Sequence, residues 1–326
     1  MKFSVIIPLY NKAPYVRKAL ESVFAQTYTD FELIVINDGS TDNSSIIAGE
    51  YLKGIGGVNY KIINQPNAGV AAARNNGVAQ AMGDYLAFLD ADDWWEPTYL
   101  ERMAQLIEDY PDAGLYGMNY IYYKPGKTRV ALKCKTGYIN YPKEYYEGSA
   151  MMIFTSSSSM PKRVFEEMGG FPLGIKLGED FLLWAKTALH YPVAFCEEPL
   201  AWYNNDVPVA LRATRNLHHP NNHMLFRMDS IAFSLSPLAS NLKSDWQALL
   251  DKLRVNGLLE YWMSKEYHDM AAQELAKVDW SKQPENVKRI YKTPIWMLKV
   301  KRLVMKWGSA VKQAALRQAI RLKVRG

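Results

Sequence analysis

Between Phe3 and Leu89, apolar runs alternate with segments whose apolar residues recur at helical spacing. The runs are Phe3–Pro8, Phe31–Asn37, Tyr60–Gln65 and Tyr85–Leu89. Ala13–Thr27, with Val16, Leu20, Val23 and Phe24, reads as a helix, as do Ser40–Leu52 and Val70–Met82, the last closed by Gly83. This order predicts a parallel sheet covered by helices on both faces, an α/β fold. In such sheets ligands settle at the carboxyl ends of the strands. Asn37-Asp38-Gly39 and Asp90-Ala91-Asp92 both follow such ends.

The next stretch, from about Tyr99 to Tyr203, is mixed. Thr98–Tyr110 reads as a helix, and Leu115–Tyr123 and Arg129–Lys133 as strands joined through Lys124-Pro125-Gly126. Ile153–Met160 is rich in Ser and Thr. A short helix, Lys162–Met168, is closed by Gly169-Gly170, and Gly178-Glu179-Asp180 opens another over Phe181–Tyr191. Beyond about Val209 the pattern is helical to the end, so the chain divides into residues 1–208 and a helical extension, 209–326.

The chain has 326 residues, 48% hydrophobic and 22% charged, the balance of a soluble globular protein. Cys134 and Cys196 are far apart and form no CxxC pair, which argues against a disulfide framework or zinc site and fits a reducing cytoplasm. The opening Met1–Pro8 is too short and too quickly polar for a signal peptide, and no run reaches the ~20 apolar residues of a spanning helix. Net charge is +6, but Lys282–Gly326 holds 13 basic residues against one acid, so residues 1–281 carry −6. A nucleic-acid role for the body of the chain is disfavoured.

The stretch FLDADDWW, Phe88–Trp95, sets three carboxylates at the end of an apolar run. Read as extended chain, Asp90 and Asp92 share one side. A hard divalent cation shared with a diphosphate suits such a pair, whereas a helix start would use Asp93 as a cap. Two nucleotide motifs are excluded. "PGKT" at 125–128 would need Gly where Ile121 stands, and "GIGG" at 54–57 has the wrong spacing for a dinucleotide loop.

Taken together, SVIIPLYN (4–11), VINDGSTDNS (35–44), NAGVAAARNNG (67–77), FLDADDWW, GGFP (169–172) and LGEDFLLW (177–184) resemble the family 2 glycosyltransferases in content and order, over roughly residues 1–205. The resemblance implies a GT-A fold, a Rossmann-like nucleotide-sugar-binding unit, here with the helical extension appended. It implies a donor pocket built from Pro8, Tyr10, Asn11, Asp38, Asn67, Arg74, Asp90 and Ala91. Asp38 resembles the acid toward the base, and Asp90 the one toward the ribose. Arg74 would contact the diphosphate or hold the acids. Asp92 resembles the ligand of Mn²⁺ or Mg²⁺. Asp180 resembles the catalytic base, with Glu179 as its support or an acceptor contact, and Trp184 either floors the acceptor sugar or packs in the core.

The implied reaction is inverting transfer from a nucleotide-diphosphate sugar, UDP-linked by resemblance, to a glycan or lipid-linked acceptor in cell-surface polysaccharide (O-antigen or capsule) assembly. Where relatives carry an Arg and a His in a lid, this chain reads YNNDVPVALRATRNLHH, leaving Arg212, Arg215, His218 and His219 as displaced candidates. In PIWMLKVKRLVMKW (294–307), Trp296, Val300, Leu303, Val304 and Trp307 form a stripe flanked by Lys299, Lys301, Arg302 and Lys306. This is the pattern of a helix lying on an anionic membrane surface, and it places the protein at the inner face of the cytoplasmic membrane. It competes with a helix packed on its own domain. A nucleotidyltransferase would need a basic, Gly-rich loop where PLYNKAPYVRK stands, and a non-catalytic binding module would have no use for Asp90, Asp92 and Asp180 together.

Overall fold

The structure is a computed structural model and describes residues 2–55, 59–148, 150–208, 217–229, 240–300 and 302. The alternating half forms β1 (Phe3–Leu9), α1 (Val16–Phe24), β2 (Phe31–Asp38), α2 (Ser44–Lys53), β3 (Asn59–Gln65), α3 (Val70–Ala79) and β4 (Tyr85–Phe88). There follow β5 (Trp94–Trp95), α4 (Tyr99–Asp109), β6 (Leu115–Lys124), β7 (Lys127–Val130), β8 (Gly137–Ile139), α5 (Tyr141–Glu147), β9 (Ser158–Pro161), α6 (Lys162–Glu167), α7 (Glu179–His190) and β10 (Val193–Asn204).

One sheet runs in the order β3-β2-β1-β4-β9-β6-β10-β5, with β7 on β6 and β8 on β10. Its first four strands are parallel, as the alternation predicts. The sheet then turns antiparallel at β9, which pairs with β4 on one side and β6 on the other. β9 comes from the Ser/Thr-rich stretch of the mixed middle. There the side chains of Ser156–Ser159 are fully buried, and Ser158 and Ser159 are satisfied by backbone carbonyls instead of forming an apolar run.

β1 is buried at every position, as a central strand must be. The chain leaves it for β2 and β3 and returns to its other flank as β4, which makes the β1–β4 edge the switch point. α3 crosses β1 at close range: a Cβ on Gly77 would fall 2.5 Å from Ile6 Cγ2. That approach sets Arg74, one turn earlier, over the end of β4.

The chain resolves into two compact units, residues 1–250 and 251–326. The first runs well past residue 208, because the segment around His219–Arg227 binds the loop ahead of α7: Lys176 N–H donates to the Asn222 carbonyl (2.7 Å) and Met224 N–H to that of Leu177 (3.1 Å). The second unit is helical over Leu259–Met263, His268–Leu275 and Glu285–Lys292. Within it the buried Arg254 meets Glu274 at 3.3 Å. Among the described residues no helix is long and apolar enough to cross a membrane.

Candidate active site

The three acids after β4 lie not on extended chain but in a tight turn, closed by Asp93 N–H donating to the Asp90 carbonyl (3.0 Å). The turn sends each carboxylate to a different partner. Asp90 accepts from Arg74 Nη2 at 2.7 Å. Asp92 Oδ2 accepts from Lys12 Nζ at 2.5 Å. Asp93 is buried, accepting from Ser156 Oγ (2.6 Å) and from Asn204 N–H (2.8 Å). It therefore caps no helix, since Thr98 precedes α4. Burial, then the charges of Asp92 and Asp90, hold the Asp93 carboxyl well above the usual carboxylate range.

Arg74 also donates through Nη1 to Glu179, at 2.8 Å. The guanidinium is fully buried. Burial opposes its charge, but Asp90 and then Glu179 outweigh that and hold it above its ordinary range. A fork of fixed geometry thus spans the two acids, which lysine would not do. Of its two expected roles, holding the acidic cluster is the one the contacts describe. The adjoining Asn75 bonds both Phe171 N–H (2.9 Å) and the Phe171 carbonyl (2.8 Å), so α3 also fixes the Gly169-Gly170 turn.

Asp180 lies in the first turn of α7, which opens after Gly178, whose φ of 83° is left-handed. Its Oδ2 accepts from Thr155 Oγ1 at 3.1 Å and its Oδ1 from Phe181 N–H at 2.8 Å. Burial and then Glu179 push its carboxyl up to about 6, against the pull of Arg74, Phe181 and Thr155. That is the range a general base near neutrality requires. Tyr145 packs on Phe181 with ring centroids 5.6 Å apart.

The expected donor residues divide by exposure. Tyr10 is 46% exposed and Asn67 is exposed, while Asn11, Asp90 and Asp92 are half-buried. Pro8, Asp38, Arg74 and Ala91 are buried. The Asp38 carboxylate accepts from Ala68 N–H (2.8 Å), Gly69 N–H (2.9 Å) and Gln65 Nε2 (2.8 Å), fixing the loop before α3. Asn67 donates to the Asp38 carbonyl at 2.9 Å. Asn11 accepts from Thr41 N–H at 2.8 Å, tying the loops after β1 and β2 together.

Trp184 takes the core-packing alternative. It is 0% exposed, packed against Phe88 and Phe171 with its indole N–H unpartnered among the described residues, and so offers no floor to an acceptor. It buries because residue 184 lies on the face of α7 turned to the sheet. Glu179 is likewise buried, on Arg74. Trp94 stacks on Trp202 at 5.3 Å, and Trp95, which donates to the Ser156 carbonyl at 2.6 Å, is core. His219 accepts from Asn221 N–H at 3.2 Å within the segment bound ahead of α7. Arg212 and Arg215 lie outside the described residues.

Three residues escaped the sequence reading: Lys12, Thr155 and Ser156. Lys12 follows the PLYN motif directly at the end of β1, a position that could have pointed to it. Nothing in the serine run separates Thr155 and Ser156 from their neighbours.

Asp92 offers a hard carboxylate at a half-buried rim. Among the described residues no three acid, His or Cys side chains converge on a metal. This donor set fits a hard cation that takes the rest of its ligands from a diphosphate and water.

Residues 4–169, half of the chain, match the family described as Glycosyl transferase family 2. The chain belongs to that family. This family 2 glycosyltransferase is 37% identical to Glycosyltransferase GlyA of Streptococcus pneumoniae over 203 residues, 58% of this chain and 28% of GlyA. It spans 28% to 41% of the length of the first curated relatives it matches. Staphylococcus aureus TarS 1–349, solved with UDP-GlcNAc, superposes with a TM-score of 0.71 over 89% of this chain and 84% of that one, at 21% identity. The mannosyltransferase PcManGT of Pyrobaculum calidifontis, solved with GDP-Man and Mn²⁺, gives 0.51 over 86% and 88%, at 18% identity. At these identities the likeness is one of fold, and the GT-A architecture with a helical C-terminal region holds for this glycosyltransferase.

Proposed function

We propose that the chain is an inverting transferase that moves a sugar from a UDP-linked donor to a glycan or lipid-linked acceptor in cell-surface polysaccharide assembly. Residues 1–208 would supply the catalysis. The observation that carries the reading is the line Asp90–Arg74–Glu179, centred on the buried guanidinium, which ties the donor-side acids to the residue beside Asp180. Asp180 takes the proton of the acceptor hydroxyl. The freed oxygen bonds to the anomeric carbon from the face opposite the leaving group, and the carbon–oxygen bond to the diphosphate breaks with its electron pair leaving on phosphate. An α-linked donor then yields a β-glycoside.

Asp92, beside Asp90, would hold Mn²⁺ or Mg²⁺. Once bound, the cation neutralises charge developing on the departing diphosphate. Tyr10 and Asn67, exposed at the ends of β1 and the loop after β3, would meet the nucleotide. The UDP-GlcNAc and UDP complexes of TarS favour a UDP donor, and the Mn²⁺ complex of PcManGT favours a divalent cation. A membrane-peripheral setting, which this reading takes to be on the cytoplasmic side, draws on Trp296, 68% exposed, with Val300 exposed beside Lys299. Leu303, Val304, Met305, Lys306 and Trp307 lie outside the described residues.

The test is a screen of UDP-sugars for donor hydrolysis and transfer with Mn²⁺ present, with Asp180→Asn in parallel. One UDP-sugar should be consumed by the native chain and spared by the variant. Consumption of none, or equal consumption by both, would refute the reading.

A further inference from the structure

The acid turn already carries its own cations. Arg74 neutralises Asp90, and Asp93 is held by neutral donors. Asp92 is left to Lys12, whose ammonium sits 2.5 Å from Oδ2, each side chain 19% exposed. An ordinary surface pair of this kind gains little, because ordering two flexible side chains costs about what the contact returns.

Lys12 is not placed in the ordinary way. Its backbone N–H donates to Ser44 Oγ at 2.7 Å, and its carbonyl accepts from Tyr15 and Val16 at 2.9 and 3.0 Å, opening α1. Asn11, immediately before it, is left-handed at φ 51°, the one non-glycine residue with positive φ among those described. Asn11 is held there by the Thr41 N–H bond, and its N–H donates to Ser40 Oγ at 3.2 Å. The chain thus adopts a disfavoured backbone conformation where it aims this lysine across the β1–β4 switch point.

We propose that Lys12 is the resident counter-ion of Asp92, and that a divalent cation binds there by displacing the ammonium, so that the two exclude each other. The inference rests on the metal reading of Asp92. With Lys12 in place the carboxylate is neutralised and its oxygen occupied. An arriving divalent cation meets both a blocked ligand and a like charge. The site is thereby kept from carrying an uncompensated acid cluster when no donor is present.

The test is Mn²⁺ binding to the full chain, read from the EPR signal of free Mn²⁺, with and without UDP. Lys12→Met should bind Mn²⁺ about fivefold tighter than the native chain, a change of about 1 kcal/mol. Lys12→Gln repeats the charge removal with a polar side chain should Met disturb folding. Lys12→Arg, which keeps a cation, should stay within about twofold of native. Lys18→Met removes the same charge from α1, where Lys18 lies 3.0 Å over the Trp94 ring instead of on Asp92, and should also stay within about twofold. Asp92→Asn should abolish binding.

Equal affinities for the Lys12 variants and native chain, with Asp92→Asn still abolishing binding, would overturn the exchange and leave the metal reading intact. A matching gain in Lys18→Met would overturn it too, since a general field would then explain the effect. No Mn²⁺ bound by any form even with UDP would overturn the metal reading and the exchange together.

Discussion

Replacing Arg74 with methionine tests the bridge between the two halves of the site. The native guanidinium holds Glu179 at 2.8 Å and Asp90 at 2.7 Å and is itself buried. Methionine preserves much of the apolar stem and removes the fork, leaving two carboxylates without their cation. Removing one partner of a buried pair costs about 3–5 kcal/mol. Glu179 is buried and bears that cost, whereas the Asp90 side chain is 30% exposed and partly rehydrates, which argues for the lower end, about 3 kcal/mol. At roughly 2–4 °C per kcal/mol for a unit of this size, the melting temperature should fall by about 6–12 °C at pH 8.

The sign of the pH dependence follows from the orphaned acids. Without Arg74 their charged forms are penalised in the fold, so protonation relieves the penalty, and the deficit against native protein should shrink from pH 8 to pH 5. Arg74→Lys keeps one charge but cannot span two carboxylates, and should recover less than half of the loss. Circular-dichroism melts at both pH values decide the matter. An Arg74→Met melt within about 2 °C of native at pH 8, or a deficit that grows toward pH 5, refutes the reasoning.

Asp180→Asn should lower transfer by about 10²–10⁴-fold while UDP binding by calorimetry is unchanged, and parallel loss of both would remove Asp180 as base. Because burial and then Glu179 keep the Asp180 carboxyl protonated up to about 6, kcat/KM should rise with pH through that value and level off above it, and a flat profile between pH 5 and 8 contradicts the assignment. The Thr155 hydroxyl favours the charged form, so Thr155→Val should move that midpoint to higher pH and Thr155→Ser should restore it. Trp184→Ala should cost about 3–5 kcal/mol of stability by opening a cavity, while Trp184→Phe leaves acceptor KM within about twofold; a large KM effect in the Phe variant would return Trp184 to the acceptor site.

The parallel half was legible because β1, β2 and β4 are largely apolar runs set between helical periods, a pattern with one economical solution. Asp90 and Asp92 were legible as a pair, but their geometry was not. A period-two reading presumes extended chain, and the backbone instead folds into a turn that parts the carboxylates. Lys12 could not be assigned from its neighbours, since its partner is 80 positions away and meets it only through the sheet order. The serine run hid β9, because serines that bond to carbonyls bury without an apolar signature. Trp184 was left between an acceptor floor and core packing because residue type alone does not say which side of α7 faces the sheet.

Gly178 admits no side chain: a Cβ there would lie 2.3 Å from the Met224 sulfur. The residue that opens the helix of Asp180 is thus overlaid by chain made more than forty positions later. During synthesis, a nascent polypeptide reaching only residue 208 already contains every family motif, yet lacks the overlay that fixes where α7 begins. The start of α7 is therefore fixed only once the stretch through Arg227 has emerged and docked.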